Sequence, residues 1–204
     1  MSTAGDKIVK SKLIICFLLT LIFLSGAAYG YNLMDEYGNQ YKWDRDNNTP
    51  IEVDATGYNS SWQALVNSSM NDINSAGANF RYINKQSNTT VGDVIMTAYS
   101  LKDKPSEPLA LTEYNTYQYH SENKTYVLES CTIIMNTDYR WSNPSVPFYS
   151  FDTRSAMSHE LGHVAGLKHH EAKNSMMRSN LGEGEIHRFD ADDALGLIAI
   201  YGTG

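Results

Sequence analysis

His159, Glu160, His163 and His169 stand at spacings that suit a divalent metal with a base beside it. A helix turns once every 3.6 residues, so His159 and His163 share one face and can aim ring nitrogens at a common ion. Zinc takes histidine nitrogens at roughly 2.0 to 2.1 Å in a tetrahedron, and a catalytic zinc keeps one of four positions for water. His169 becomes the third ligand only if the chain leaves the helix after His163 and folds back. Gly166 permits that exit, because a residue without Cβ enters the left-handed region freely. Zinc brings the pKa of bound water from about 15.7 toward 7. Glu160, next to the first ligand, is suited to accept the water's proton and deliver it to a leaving amine. Five fixed positions of these types arise by accident about once in a hundred thousand chains of this length, so coincidence explains them poorly.

The pattern HExxHxxGxxH followed by a methionine-bearing turn resembles the metzincin zinc endopeptidases, with Asn174-Ser175-Met176-Met177-Arg178 as the turn. In the matrixin branch the turn methionine stands eight residues after the third histidine, which selects Met177, with Met176 the neighbouring alternative. The resemblance implies an apolar floor beneath the zinc. Locally, a core methionine pair filling a gap reads the same way. Residues Asp190 to Gly202 are similar to the closing helix of matrixin catalytic domains. Asp190 can cap that helix with Asp193 in its first turn, and Ala194, Leu197, Ile198 and Tyr201 form an apolar stripe. The likeness implies that Asp192 or Asp193 braces the methionine turn; capping and dipole compensation alone are the other reading.

These residues need elements to carry them. Ser60 or Ser61 precedes the stripe Trp62, Leu65, Val66, Ser69, Ile73 and Ala76, which predicts a long first helix with a serine cap. Ile51 to Thr56, Phe80 to Asn84, Asp93 to Ser100, Leu109 to Tyr117 and Thr125 to Asn136 read as strands between polar turn clusters. A Pro-containing loop, 142–149, leads to the zinc helix, capped by Ser150 or Asp152 and held to the core by Met157, Leu161 and Val164. The fold class is α+β. The resemblance, covering roughly residues 40–204, implies a metzincin-like (zincin) domain: a twisted mixed five-stranded sheet, a long helix, the zinc helix, the Met-turn and a C-terminal helix.

Lys7, Lys10 and Lys12 precede an apolar run, Leu13 to Leu24, and the small residues Ser25 to Gly30. Residues 1–30 therefore read as a signal peptide, cut before Tyr31 or after Ala28, and 31–204 as a single catalytic domain. The run is shorter than the roughly 20 residues of a spanning helix, which makes an uncleaved anchor the second choice. Cys16 lies inside the run, too early for a lipidation cysteine. Removal of 1–30 takes Lys7, Lys10, Lys12 and Asp6 from 16 basic and 23 acidic residues, leaving 13 and 22 and a net charge of −9. That balance excludes a nucleic-acid stripe and suits a secreted, soluble protein without stable membrane association, expected to be monomeric.

After cleavage Cys131 stands alone, so no internal disulfide forms. It sits in an apolar strand pattern and reads as a core thiol. The sharper alternative is a thiolate holding zinc in a latent state, but the matrixin switch motif PRCGxPD is absent and 31–41 is short for a propeptide. Segment 101–108 contains no histidine, so the second, structural zinc of matrixins is not expected. His120 and Glu122 form a lone H-x-E in a polar loop that reads as solvated. Calcium is compatible with such loops, though no motif specifies it. His170 follows the third ligand where matrixins have serine, astacins glutamate and reprolysins aspartate. Arg178-Ser179-Asn180 replaces the Pro-x-Tyr wall of matrixins, leaving the specificity pocket undefined. Asn47, Asn59, Asn67, Asn88 and Asn123 begin glycosylation sequons that a composition this rich in Asn, Ser and Thr produces by accident.

Together these readings imply a secreted zinc endopeptidase with Glu160 as base and His159, His163 and His169 as ligands. The family resemblance lays a protein or peptide substrate along Leu109 to Tyr114. The alternatives are a zinc-binding protein without turnover and an amidase acting on cell-wall or small-peptide substrates.

Overall fold

The computed structural model describes residues 31–86, 92–142, 149–170 and 175–204. The expected signal peptide, Asn88, most of the loop 142–149 and Asn174 of the methionine turn lie outside them.

Strands alternate their side chains between two faces, and the burial here follows that period. In β2 (Ile51–Asp54) Ile51 and Val53 are buried; in β4 (Val94–Tyr99) Val94 and Met96 are buried while Ile95 is 37% exposed. With β1 (Gln40–Trp43), β3 (Tyr82–Asn84), β5 (Ala110–His120) and β6 (Thr125–Asn136) they form a six-stranded sheet. The order is β1-β6-β4-β2-β3. The twelve-residue β6 is long enough to pair in parallel with β1 through Thr125 to Leu128 and with β4 through Cys131 to Asn136 on one side. β5 runs antiparallel along its other side, with a register shift around Asn115. β5 thus forms one edge of the sheet among the described residues.

The sheet has six strands where five were expected. The additional one is β1, whose sequence Gln40-Tyr41-Lys42-Trp43 carries no β-branched residue; its partner β6 lies more than eighty residues further along the chain. A small parallel pair, β7 (Trp141–Ser142) with β8 (Phe151–Asp152), leads into the helix that begins at Thr153.

Three helices follow the expected stretches: α1 (Ser60–Asn74), α2 (Thr153–Val164) and α3 (Ala191–Tyr201). The cap of α1 corrects the sequence reading. Asn59, not Ser60 or Ser61, takes the N-cap position, its Oδ1 accepting the N–H of Trp62 at 3.0 Å. Its longer side chain supplies the carbonyl oxygen that the third amide of a helix needs. Val66, Met70 and Ile73 of α1 join Met157, Leu161 and Val164 of α2 and the inward residues of the sheet in one apolar cluster. Arg154 of α2 pairs with Asp72 of α1, and the Ser158 hydroxyl meets that of Ser69 at 2.7 Å, which sets the two helices against each other. Cys131 belongs to this cluster and is fully buried. Among the described residues no helix is long and apolar enough to cross a membrane.

Candidate metal centre

Asp152 caps α2, accepting the N–H and hydroxyl of Ser155 at 2.8 and 2.6 Å and the Arg188 guanidinium at 2.5 Å. Three turns later the helix ends at Val164 with Ala165 as its C-cap, and the chain turns away at Gly166, whose φ of +95° lies in the left-handed region. Its neighbours close the end: Gly166 donates to the His163 carbonyl and Leu167 to the Gly162 carbonyl, both at 2.9 Å. A β-carbon at Gly166 would also collide with the Tyr41 carbonyl of β1. The returning chain is then pinned by Lys168, whose N–H donates to the Asn32 carbonyl at 2.8 Å.

This geometry brings His169 beside His159 and His163. The Nε2 of His169 lies 3.1 Å from that of His159 and 3.1 Å from that of His163. Both helical rings are oriented from behind. His159 Nδ1 is 2.8 Å from the Met176 carbonyl, and His163 Nδ1 is 2.9 Å from the Leu167 carbonyl. A carbonyl can only accept, so each Nδ1 carries the proton and each Nε2 keeps its lone pair. Both lone pairs face His169 Nε2 at 3.1 Å, and a third lone pair there is repelled unless a cation sits among the three rings. Four ligands at roughly 2.05 Å around a tetrahedral zinc are about 3.3 Å apart, so the spacing fits that ion. Burial favours the same state: it pushes His159 down to about 4 and His163 well below the ordinary histidine range, so both are neutral donors near neutral pH.

Glu160 follows the first of these histidines and is only 6% exposed. Burial raises its carboxyl to about 7, against a hydrogen bond from Thr112 that favours the charged form. A group poised there exchanges a proton readily near neutral pH. Thr112 Oγ1 donates to Oε2 at 2.6 Å.

The methionine turn lies under the helix. Both Met176 and Met177 are 1% exposed, and a β-carbon at Gly162 would strike the sulfur of Met177 and the terminal methyl of Met176. Both methionines therefore floor the zinc helix, Met177 by its sulfur and Met176 also through the carbonyl that orients His159. Of the two aspartates left open by the sequence, Asp193 is the brace. It accepts the Ser175 hydroxyl at 2.9 Å and the Met176 N–H at 3.3 Å, and it completes a capping box with Asp190. His170 reinforces the turn, its N–H donating to the Met177 carbonyl at 3.1 Å and its Nε2 lying 2.6 Å from Ser175 Oγ.

A cleft of about 900 Å³ opens over the three histidines, within the usual range for ligand sites. Its lining includes Ala110, Leu111 and Thr112 of the edge strand and Arg178, Leu181 and His187. Sequence reasoning passed over His187. It is 5% exposed, and Ser155 of α2 holds its backbone, accepting its N–H at 2.9 Å and donating to its carbonyl at 3.0 Å. No spacing rule marks it; its buried place is created by the fold. Cys131 and the exposed pair His120 and Glu122, 3.2 Å apart, stand outside the histidine cluster. For Cys131 this removes the zinc-thiolate alternative, since the side chain is sealed in the sheet core.

A family model described as Matrixin matches residues 80–202, from just before β3 through the end of α3. The likeness expected from residue 40 onward is thus carried by the match from residue 80. No curated protein matches the chain.

Proposed function

The chain belongs to the matrixin family of zinc-dependent peptidases, and from that premise we propose that it is a secreted endopeptidase in which Glu160 is the general base and His159, His163 and His169 are the metal ligands. The observation that carries this reading is the convergence of three imidazoles, with His169 Nε2 3.1 Å from each of the other two Nε2 atoms, beside a buried carboxylate and an open strand edge.

Zinc, when bound, supplies a Lewis acid for the scissile carbonyl and makes water acidic enough to attack near neutral pH. The remaining work falls to the protein. The outer edge of β5 offers backbone groups to an extended peptide, which would add as a further strand beside α2 and bring its carbonyl over the histidines. Glu160 takes the proton from the attacking water, whose electron pair forms the new bond to carbon. It returns that proton to the amide nitrogen as the C–N bond breaks, so no covalent acyl-enzyme is required. Burial of Glu160 serves this exchange by bringing its proton affinity close to that of the solution. Calcium would be an addition for which no residue cluster argues among the described residues. Secretion is supported by the basic and apolar N-terminal sequence, and the substrate is a protein or peptide taken by a monomer.

Digestion of unfolded casein, followed on gels with and without chelator and beside Glu160→Ala, tests the reading. Cleavage lost in both cases supports it. Bound zinc with no cleavage of any peptide would leave a binding protein, and cleavage confined to small amides would leave an amidase. N-terminal sequencing of protein collected from the medium, beginning at Tyr31 or Tyr29, tests secretion.

A further inference from the structure

Side chains two apart on a strand share a face, and on β5 that rule places Thr112 and Tyr114 over α2. Each ties the strand to the helix through a hydroxyl. Tyr114 donates to the His163 carbonyl at 3.2 Å; Thr112 Oγ1 lies 3.2 Å from the Glu160 carbonyl and 2.6 Å from Glu160 Oε2. The two attachments fall at the base and at the second metal ligand, so the edge strand and the catalytic face of the helix are held in one register. Among the described residues, the hydrogen bond made to the Glu160 carboxylate is the one from Thr112.

We propose that Thr112 is a positioning residue for Glu160, aiming its carboxylate and deciding which of its two oxygens moves the proton. This rests on the peptidase reading above. A glutamate has three rotatable side-chain bonds, and a buried one without an anchor would sample orientations that miss the water. With Oε2 engaged by the hydroxyl, Oε1 is the atom left to accept. Water gives its proton to Oε1, and the electron pair of the broken O–H bond goes into the bond to the carbonyl carbon. The proton later leaves Oε1 for the amide nitrogen, which keeps the electrons of the broken C–N bond. Oε2 remains a hydrogen-bond acceptor whether Oε1 is protonated or not, so Thr112 holds it through the whole cycle without reorganising, the condition under which fixed dipoles help most. The main chain of Thr112 belongs to the edge along which the peptide would lie. A single residue thereby links the placement of the substrate to the placement of the base.

Thr112→Val keeps the branched shape and strand preference and deletes the hydroxyl; Thr112→Ser keeps the hydroxyl. On the zinc-loaded protein with a peptide substrate, Thr112→Val should lower kcat by roughly 10- to 100-fold, the usual effect of losing a partner behind a catalytic group. KM should stay within about twofold and zinc content should be unchanged, while Thr112→Ser should recover most of kcat. In a Glu160→Ala background Thr112→Val should cause no further loss. A readout independent of turnover is the carboxyl resonance of 13C-labelled Glu160, assigned by its loss in Glu160→Gln. It should move in Thr112→Val and return in Thr112→Ser. The proposal is overturned if Thr112→Val keeps wild-type kcat, if its loss persists without Glu160, if Thr112→Ser fails as badly as Thr112→Val, or if zinc is lost. A wild type whose cleavage resists chelator and survives Glu160→Ala would defeat the peptidase reading and this inference with it. Chelator-sensitive, Glu160-dependent cleavage that ignores Thr112→Val defeats this inference alone.

Discussion

Asp193 and His159 are joined through the backbone of one residue: Met176 donates its N–H to the Asp193 carboxylate at 3.3 Å, and its carbonyl accepts from His159 Nδ1 at 2.8 Å. The ring of His159, the first of the proposed ligands, is thus oriented by the last helix of the chain. Asp193 is fully buried and also receives the Ser175 hydroxyl and the Asp190 N–H. Its removal strands several donors at once. Asp193→Ala should cost about 3 kcal/mol of stability and weaken zinc binding roughly 10- to 100-fold, since the ligand's outer partner loses its own support. Chemical denaturation and competition against a zinc chelator measure the two effects. An unchanged zinc affinity would show that the turn holds His159 without the helix.

Ligand and base should separate cleanly. His169→Ala removes one of three Nε2 donors and is expected to lose zinc and activity together. Glu160→Ala leaves all three donors in place, and elemental analysis should still find zinc in a protein that no longer cleaves. Zinc loss in Glu160→Ala would mean that the carboxylate is a ligand.

The raised carboxyl of Glu160 has a consequence for stability that can be read without substrate. Its folded value of about 7 lies above the ordinary 4.5, so between those two pH values the folded state holds a proton that the unfolded state has released. Folding stability therefore falls as pH rises across that interval, and at pH 8 the buried charge costs the metal-free protein on the order of 3 kcal/mol. Glu160→Gln never ionises and still accepts from Thr112. Metal-free Glu160→Gln should accordingly melt above the metal-free wild type at pH 8, and the gap should close by about pH 4.5. The lowered histidines respond oppositely, losing stability as pH falls toward 4, but they are common to both proteins and cancel in the difference. A gap that is constant from pH 4.5 to 8 would rule out burial of the charge as its cause.

Much of this site was legible because it obeys short-range rules. The turn of a helix sets His159 against His163, Gly166 must leave the helix, and the β-branched and aromatic run of β6 between polar turn clusters gives its limits at Thr125 and Asn136 as the structure has them. What escaped depends on contacts that no local pattern encodes. β1 is a strand because distant β6 accepts it, and Asn59 caps α1 because its side chain reaches the Trp62 amide ahead of the serines that follow it. Thr112 looked like one more β-branched strand residue until the fold laid it on Glu160. His187 comes into the cleft on a segment that Ser155 ties down from the other end of the zinc helix.

Cys131 should behave as part of the core and not as a reactive thiol. Burial, assisted by the charge of Asp93, pushes it up to about 12. At pH 8 its thiolate fraction is then smaller than that of an unfolded cysteine by roughly a thousand-fold or more. A disulfide reagent added to the chain beginning at Tyr31 should label it slowly when folded and at once in denaturant. Rapid labelling of the folded protein would place the thiol at the surface.

Gly162→Ala sets two opposed effects against each other. Alanine in the interior of a helix gains about 1 kcal/mol over glycine. Here, however, the added methyl would meet the sulfur of Met177 and the terminal methyl of Met176, two side chains that are 1% exposed and packed in the core cluster. Thioethers are pliable, but both are enclosed, and forcing an extra carbon into a filled core costs about 1 to 3 kcal/mol. Overpacking should win, giving a net destabilisation of about 1 kcal/mol. The displaced turn carries the Met176 carbonyl with it, so zinc affinity should fall alongside melting temperature. Repeating the substitution with Met177→Ala should restore the helix gain, because the cavity then receives the methyl. If Gly162→Ala is stabilising on its own, the floor beneath the zinc helix is looser than its burial indicates.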